Sequence, residues 1–135
     1  MIRYLVDTDW AIHYLNGHAS ITARLQALEP EGLALSVVSL AELYEGVLYS
    51  TKPAENEQAL KDFLGGVQLI GVDEATARRF GQERGRLRAA GRLIGDVDLL
   101  IGATALANAL TLLTNNARHF ERLEGIAIES LPASV

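Results

Sequence analysis

Short apolar runs alternate along the chain with longer segments of helical spacing, and that rhythm predicts most of the architecture. Residues 3–6 form a β-prone run, followed by a helical pattern from Trp10 to Leu15 that stops at Asn16-Gly17. Ser20 is placed to cap a second helix with apolar positions Ile21, Leu25 and Leu28, ended near Pro30. Residues 33–38 read as a buried strand, and Ser39 precedes a helix carrying Leu40, Leu43, Val47 and Leu48. Lys52-Pro53 breaks that helix, and another covers residues 55–64 before Gly65-Gly66. A third strand is expected over 67–70. Asp73 caps a long helix from Glu74 towards Ala90, closed by Gly91. A helix from about Asp96 to Asn108, a fourth strand over 110–113 and a short fifth over 126–128 complete the reading. Strands alternating with helices predict an α/β/α domain, with a parallel sheet of four to five strands flanked by helices. No repeat, linker or low-complexity stretch interrupts it, so residues 1–135 are expected to form a single domain.

Composition narrows the class. A hydrophobic content of 49% over 135 residues suits a domain with a real core and excludes a disordered chain. The absence of cysteine excludes disulfides and thiolate metal sites. The N-terminal apolar run is cut by Asp7 and Asp9, so no signal peptide is expected, and no stretch reaches the length of a membrane span. A soluble, cytoplasmic protein follows as the expectation. The formal charge of −5 counts against nucleic acid as a partner until its distribution is considered. Arg78, Arg79, Arg84, Arg86, Arg88 and Arg92 share one segment with a single acid, Glu83, leaving +5 there and −10 over the rest. That asymmetry describes either a basic patch beside an acidic centre or a solvated helix face.

Ligands of open parallel sheets bind outside the carboxyl ends of the strands, and acids cluster where those ends should lie. Asp7, Thr8 and Asp9 follow the first strand, and Glu42 opens the helix after the second. Asp96 and Asp98 open a later helix, and Asn115 and Asn116 follow the fourth strand. Two carboxylates 4 Å apart repel by about 4 kcal/mol at an effective dielectric near 20, a penalty that a divalent cation removes. Oxygen-only ligands favour Mg²⁺ or Mn²⁺. Asp7 would be costly at the end of an apolar strand without such a partner. Asp9 doubles as a helix N-cap, as does Asp96; Asp98, ahead of a strongly apolar run, is the better ligand of that pair. Glu45 is expected to face water, Asn115 doubles as a turn residue, and His13, His18 and His119 look scattered. The arginines at 84, 86, 88 and 92, with Arg118, are candidates for holding the phosphates of a nucleic-acid partner.

Four segments in register, Leu5-Val6-Asp7-Thr8-Asp9, Ala41-Glu42-Leu43-Tyr44-Glu45-Gly46, Ile94-Gly95-Asp96-Val97-Asp98-Leu99-Leu100-Ile101-Gly102-Ala103 and Leu113-Thr114-Asn115-Asn116 with Phe120, resemble the PIN-domain nucleases. Within that family they resemble the VapC-type toxins of toxin–antitoxin pairs, over essentially the whole chain. The resemblance implies a PIN-like fold, an Mg²⁺- or Mn²⁺-dependent endoribonuclease, a VapB-type antitoxin and a homodimer. It places Asp7, Glu42 and Asp98 at the core acidic positions and Asp96 at an accessory one, all four as expected catalytic residues and metal ligands. Asn115 stands where other PIN domains often carry an aspartate, and Asp9 where asparagine is more usual. Thr8 and Ser39 match small hydroxyl positions that orient the acids. One ion is expected at Asp7, Glu42 and Asp98, with room for a second nearer Asp96 and Asn115. A structured RNA, transfer RNA before ribosomal RNA, is the expected substrate.

Two rivals stand beside this reading. Asp7-Thr8-Asp9 also resembles the nucleophile motif of haloacid-dehalogenase-type phosphatases, which further need a positioned lysine; only Lys52 and Lys61 are present. The other rival is a PIN scaffold kept for binding alone. Trp10, Tyr14 and Leu15, with Tyr44, Leu48 and Tyr49, line either the core or a groove for a partner helix.

Overall fold

The computed structural model describes residues 1–131; the last four residues of the expected domain lie outside the described residues. Five parallel strands form one sheet in the order β3-β2-β1-β4-β5: β1 (Tyr4–Val6), β2 (Leu33–Ser36), β3 (Gln68–Ile70), β4 (Thr111–Leu113) and β5 (Ala127–Glu129). Seven helices connect them: α1 (Thr8–Leu15), α2 (Ala19–Leu28), α3 (Val37–Leu48), α4 (Pro53–Leu64), α5 (Glu74–Ala89), α6 (Asp96–Ala107) and α7 (Ala117–Phe120).

Side chains of a strand alternate between faces, and here both faces are apolar because both are covered. Val6, Leu35 and Leu113 join Trp10, Ile21, Leu25, Leu43, Leu60 and Phe63 in one core beneath α1–α4. Leu5, Ala34 and Leu112 join Leu87, Leu99, Ile101, Phe120 and Leu123 in the other, beneath α5–α7. These are the three layers that the alternation of strands and helices predicts. Among the described residues, no helix is long and apolar enough to cross a membrane.

Several boundaries differ from the expectation, and each difference moves a functional side chain. The second strand ends at Ser36, whose hydroxyl caps α3 by accepting from the Val38 amide at 3.1 Å. Ser39 therefore lies inside the helix, buried, rather than at its cap. Helix α1 starts at Thr8, so Asp7 and not Asp9 is its N-cap. Gly95 occupies the cap of α6 in place of Asp96, and His18 that of α2 in place of Ser20. Helix α4 begins at Pro53, where the missing N–H costs nothing. Helix α7, one turn long, shows no periodicity in sequence and was not foreseen. Of the aromatic candidates for a groove, Trp10 is fully buried and Tyr14 packs against Phe63, whereas Leu48 and Tyr49 are exposed.

Gly32 joins the 3-10 turn after α2 to β2 with φ +97°. Its carbonyl accepts from the Arg3 and Tyr4 amides at 3.0 and 3.1 Å, which seats the start of β1 against β2. A Cβ there would collide with the Met1 carbonyl oxygen and the Ile2 Cα. Gly32→Ala is therefore expected to cost at least about 2 kcal/mol, from strain and overpacking together, as measured by chemical denaturation.

Candidate metal centre

The strand order reverses at β1, whose neighbours are β2 on one side and β4 on the other. The crevice beyond the carboxyl ends of β1 and β4 is thus the switch point at which open α/β sheets bind ligands. Asp7 leaves β1 directly into it. Its Oδ1 accepts from the Thr8 amide at 2.8 Å and its Oδ2 from the Thr114 hydroxyl at 2.7 Å, so one carboxylate ties the first strand to the fourth. The side chain is almost wholly enclosed, with the residue 4% exposed.

Glu42 reaches the same crevice from the second turn of α3. Thr8 Oγ1 lies 2.7 Å from Glu42 Oε1 and 2.9 Å from Ser39 Oγ. A hydroxyl carries one proton, and an ionised carboxylate can only accept. Thr8 therefore donates to Glu42 and accepts from Ser39, and the pair of hydroxyls orients the acid as the sequence suggested. Asp98 enters from the first turn of α6, two-thirds shielded. Asp9 sits beside Asp7: its Oδ2 accepts from the Asn115 amide at 2.9 Å, while its Oδ1 is buried with no hydrogen-bond partner.

Electrostatics join these four acids into one set. Burial, then the charge of Asp9, pushes Asp7 up to about 7; hydrogen bonds from Thr114 and Thr8 oppose the rise, and Asp98 adds to it. Asp98 is raised as well, first by burial, then by Glu42; His119 opposes, and Asp9 adds a smaller increment. Among the described residues no three acidic or histidine side chains already close to ligand spacing. The donors nevertheless fit a hard divalent cation in type and charge. All are oxygens, they repel one another, and one buried carboxylate oxygen of Asp9 has nothing to bind.

Asp96 does not join this set. It is exposed and paired with Arg84 at 2.9 Å, and its charge perturbs neither Asp7 nor Asp98. Residues two positions apart on an α-helix are rotated by about 200°, so only one of Asp96 and Asp98 can face the crevice. Asn115 does not face it either. Its Oδ1 accepts from Trp10 Nε1 and the Leu131 amide, both at 2.9 Å, and its Nδ2 donates to the Leu131 carbonyl. It frames the site rather than lining it. Asn116 is the amide at the crevice, with Nδ2 3.5 Å from Asp98 Oδ2. The room expected for a second ion near Asp96 and Asn115 is therefore not formed by those side chains.

The arginines separate in the same way. Arg86 is structural: its guanidinium grips buried Glu83 at 2.8 and 3.2 Å and donates to the Arg122 carbonyl, locking α5 to the segment after α7. Those bonds hold the Glu83 carboxyl below its ordinary range. Arg84 is occupied by Asp96, whereas Arg88, Arg92 and Arg118 are exposed. His119, read in the sequence as scattered, stands at the rim with Nδ1 3.1 Å from Asn116 Nδ2 and 3.9 Å from Asp98 Oδ2. Its position one turn after Asn116 was the only available signal. Neither lysine serves the phosphatase alternative, since Lys52 precedes α4 and Lys61 pairs with Glu57 on it.

The family model of the PIN domain matches residues 4–126. Ribonuclease VapC2 of Rickettsia felis is 33% identical over 94% of this chain and 96% of its own length. The tRNA(fMet)-specific endonuclease VapC of Shigella flexneri is 32% identical over 96% and 98%. Among solved structures, VapBC2 from Rickettsia felis bound to a promoter DNA fragment contains a chain that superposes with TM-score 0.91 at 33% identity, covering 98% of this chain and all of that one. DNA-bound VapBC from Salmonella typhimurium contains another, with TM-score 0.90 at 29% identity over 96% and 98%. The fold and its acid-lined crevice are those of a PIN-type nuclease. The chain belongs to the PIN-domain family, among its VapC-type toxins.

Removing one repelling charge should stabilise the cation-free fold. The native state holds a proton on Asp7 up to about 7, against an ordinary 3.8, so ionisation of Asp7 destabilises the protein progressively as pH rises through that window. Asp7→Asn is expected to raise the melting temperature in chelator by several degrees at pH 8, with the gain shrinking as pH falls towards 4. Differential scanning calorimetry across that range checks it.

Proposed function

We propose that this chain is a divalent-metal-dependent endoribonuclease that hydrolyses phosphodiester bonds in a structured RNA, as the toxin of a toxin–antitoxin pair. The observation that carries the reading is the set of four repelling carboxylates at the switch point, one with a buried, unpartnered oxygen. Asp7, Glu42 and Asp98, with Asp9 beside them, would hold Mg²⁺ or Mn²⁺. When bound, such a cation supplies Lewis-acid activation of water and of the phosphodiester. The chain's own part is preorganisation: Thr114 and the Thr8 amide orient Asp7, Thr8 and Ser39 orient Glu42, and Asn116 faces Asp98. Arg88, Arg92 and Arg118 are the exposed cations available to RNA phosphates.

Transfer RNA is the favoured substrate, with ribosomal RNA second; the name of the Shigella relative supports that order. A VapB-type antitoxin is the proposed partner, in keeping with the VapBC complexes among the structural relatives. An apolar groove lined by Ile12, Leu15, Leu43 and Val47 runs to Glu42 and suits an inhibitor segment that must cover that acid. A homodimer completes the reading; Val37 and Leu48, exposed three turns apart on one face of α3, are candidates for its contact.

The test is incubation of the partner-free protein with total RNA and with a transfer RNA transcript in Mg²⁺, Mn²⁺ or EDTA, with product ends mapped by sequencing. Discrete cuts that need metal are expected. Asp98→Asn should lower the rate by about 100-fold or more, and Asp96→Asn by less than about tenfold, since Asp96 stands apart from the cluster. No cutting by the folded wild-type protein would favour a scaffold kept for binding.

A further inference from the structure

His119 is left without a task by the reading above, yet it stands against the acids. The Asn116 side-chain amide lies between its ring and Asp98. Asn116 Nδ2 lies 3.5 Å from Asp98 Oδ2, and an ionised carboxylate only accepts, so the NH₂ end of the amide faces it. The same nitrogen is 3.1 Å from His119 Nδ1. In the neutral tautomer that suits this contact, Nδ1 accepts from the NH₂ group and Nε2 carries the proton.

The backbone around the ring is fixed from both sides. The Asn116 backbone N–H donates to Thr114 Oγ1 at 3.0 Å, and that hydroxyl in turn donates to Asp7. Phe120, the next residue, is fully buried. The His119 side chain is 47% exposed and Arg118 beside it is exposed, so neither is spent on the core. With Nδ1 committed inward, Nε2–H is an unused donor at the rim of an acidic crevice. A phosphodiester crossing that crevice brings its complement, an anionic non-bridging oxygen.

We propose that His119 is a substrate-contacting residue whose Nε2–H donates to a non-bridging phosphate oxygen of the RNA, on the α7 side of Asp98. No covalent bond changes and no proton is transferred in this contact. The proposal rests on the nuclease reading and refines it by naming where the RNA backbone lies.

Two amides separate contact from mere positioning. In His119→Asn, the amide oxygen can take the place of Nδ1 and keep the bond from Asn116, but nothing stands at Nε2. In His119→Gln, the terminal NH₂ can take the place of Nε2, and the inner acceptor is lost. With the transfer RNA transcript as substrate, His119→Gln should stay within about threefold of wild-type kcat/KM, while His119→Asn should lose roughly tenfold, mainly through KM. Unchanged melting temperatures would show that both variants are folded. Equal activity of both with wild type overturns the proposal. Full activity of Asn with a fall for Gln also overturns it, making His119 a positioning residue for Asn116. If the wild type cuts nothing, the nuclease reading fails separately, and fluorescence anisotropy of the labelled transcript in EDTA decides the contact alone. Weaker binding by Asn with retention by Gln then supports it, and equal or absent binding overturns it.

Discussion

Carboxylates that repel one another are being held within reach at the end of a buried parallel sheet, and much of the molecule serves to keep them there. Asp7 is the centre of the arrangement: it ends the innermost strand, caps α1 and accepts the Thr114 hydroxyl across the seam to β4. An ionised group in so enclosed a place is unfavourable by itself. Its hydrogen bonds recover only part of that cost, and the neighbouring charge of Asp9 adds to it. A fold that retains such a group rather than replacing it with a neutral one has tied stability to whatever brings positive charge to the crevice.

The supports are graded by distance from the acids. Thr8, Thr114 and Asn116 touch carboxylates directly, and Ser39 acts through the Thr8 hydroxyl. Behind them, Trp10 and the Leu131 backbone grip Asn115, whose own amide holds Asp9. Further out, Arg86 and Glu83 bind α5 to the segment that follows α7. Arg24 bridges α2 to Glu129 on β5 through bonds of 2.7 and 3.0 Å. Polar contacts near the site, made by hydroxyls and amides, therefore orient the acids, and those far from it, made by arginine–glutamate pairs, hold layers together.

Much of this was legible in the sequence. A strand-length apolar run followed at once by an acid is unusual enough to mark Asp7, and the same logic found Glu42 and Asp98. Thr8 and Ser39 were named by the resemblance to the PIN-domain family rather than by any pattern of their own. What was not legible depended on rotation about an element's axis. Asp98 was favoured over Asp96 from its apolar run, but that Asp96 leaves the site altogether is decided by packing of Leu99 and Ile101 into the core. Asn115 and Asn116 are consecutive, and only the fold turns the first towards Trp10 and the second towards Asp98. Arg86 read as a free cation because its partner, Glu83, gives no sign in sequence of being buried. Asp9 was weighed as a cap because its neighbour's claim to that role is settled by where the helix begins.

The seam between β1 and β4 also sets a schedule. Asp7 and Thr114 meet across 107 residues, and Asp98 lies on the helix that leads into β4. A ribosome releases the chain from its N-terminus, so the first acid leaves the exit tunnel long before the hydroxyl that orients it. Until β4 docks, Asp7 lacks its cross-strand partner, and Asp9 lacks the amide of Asn115. An acid centre assembled from segments 107 residues apart forms only after β4 has been made and has docked.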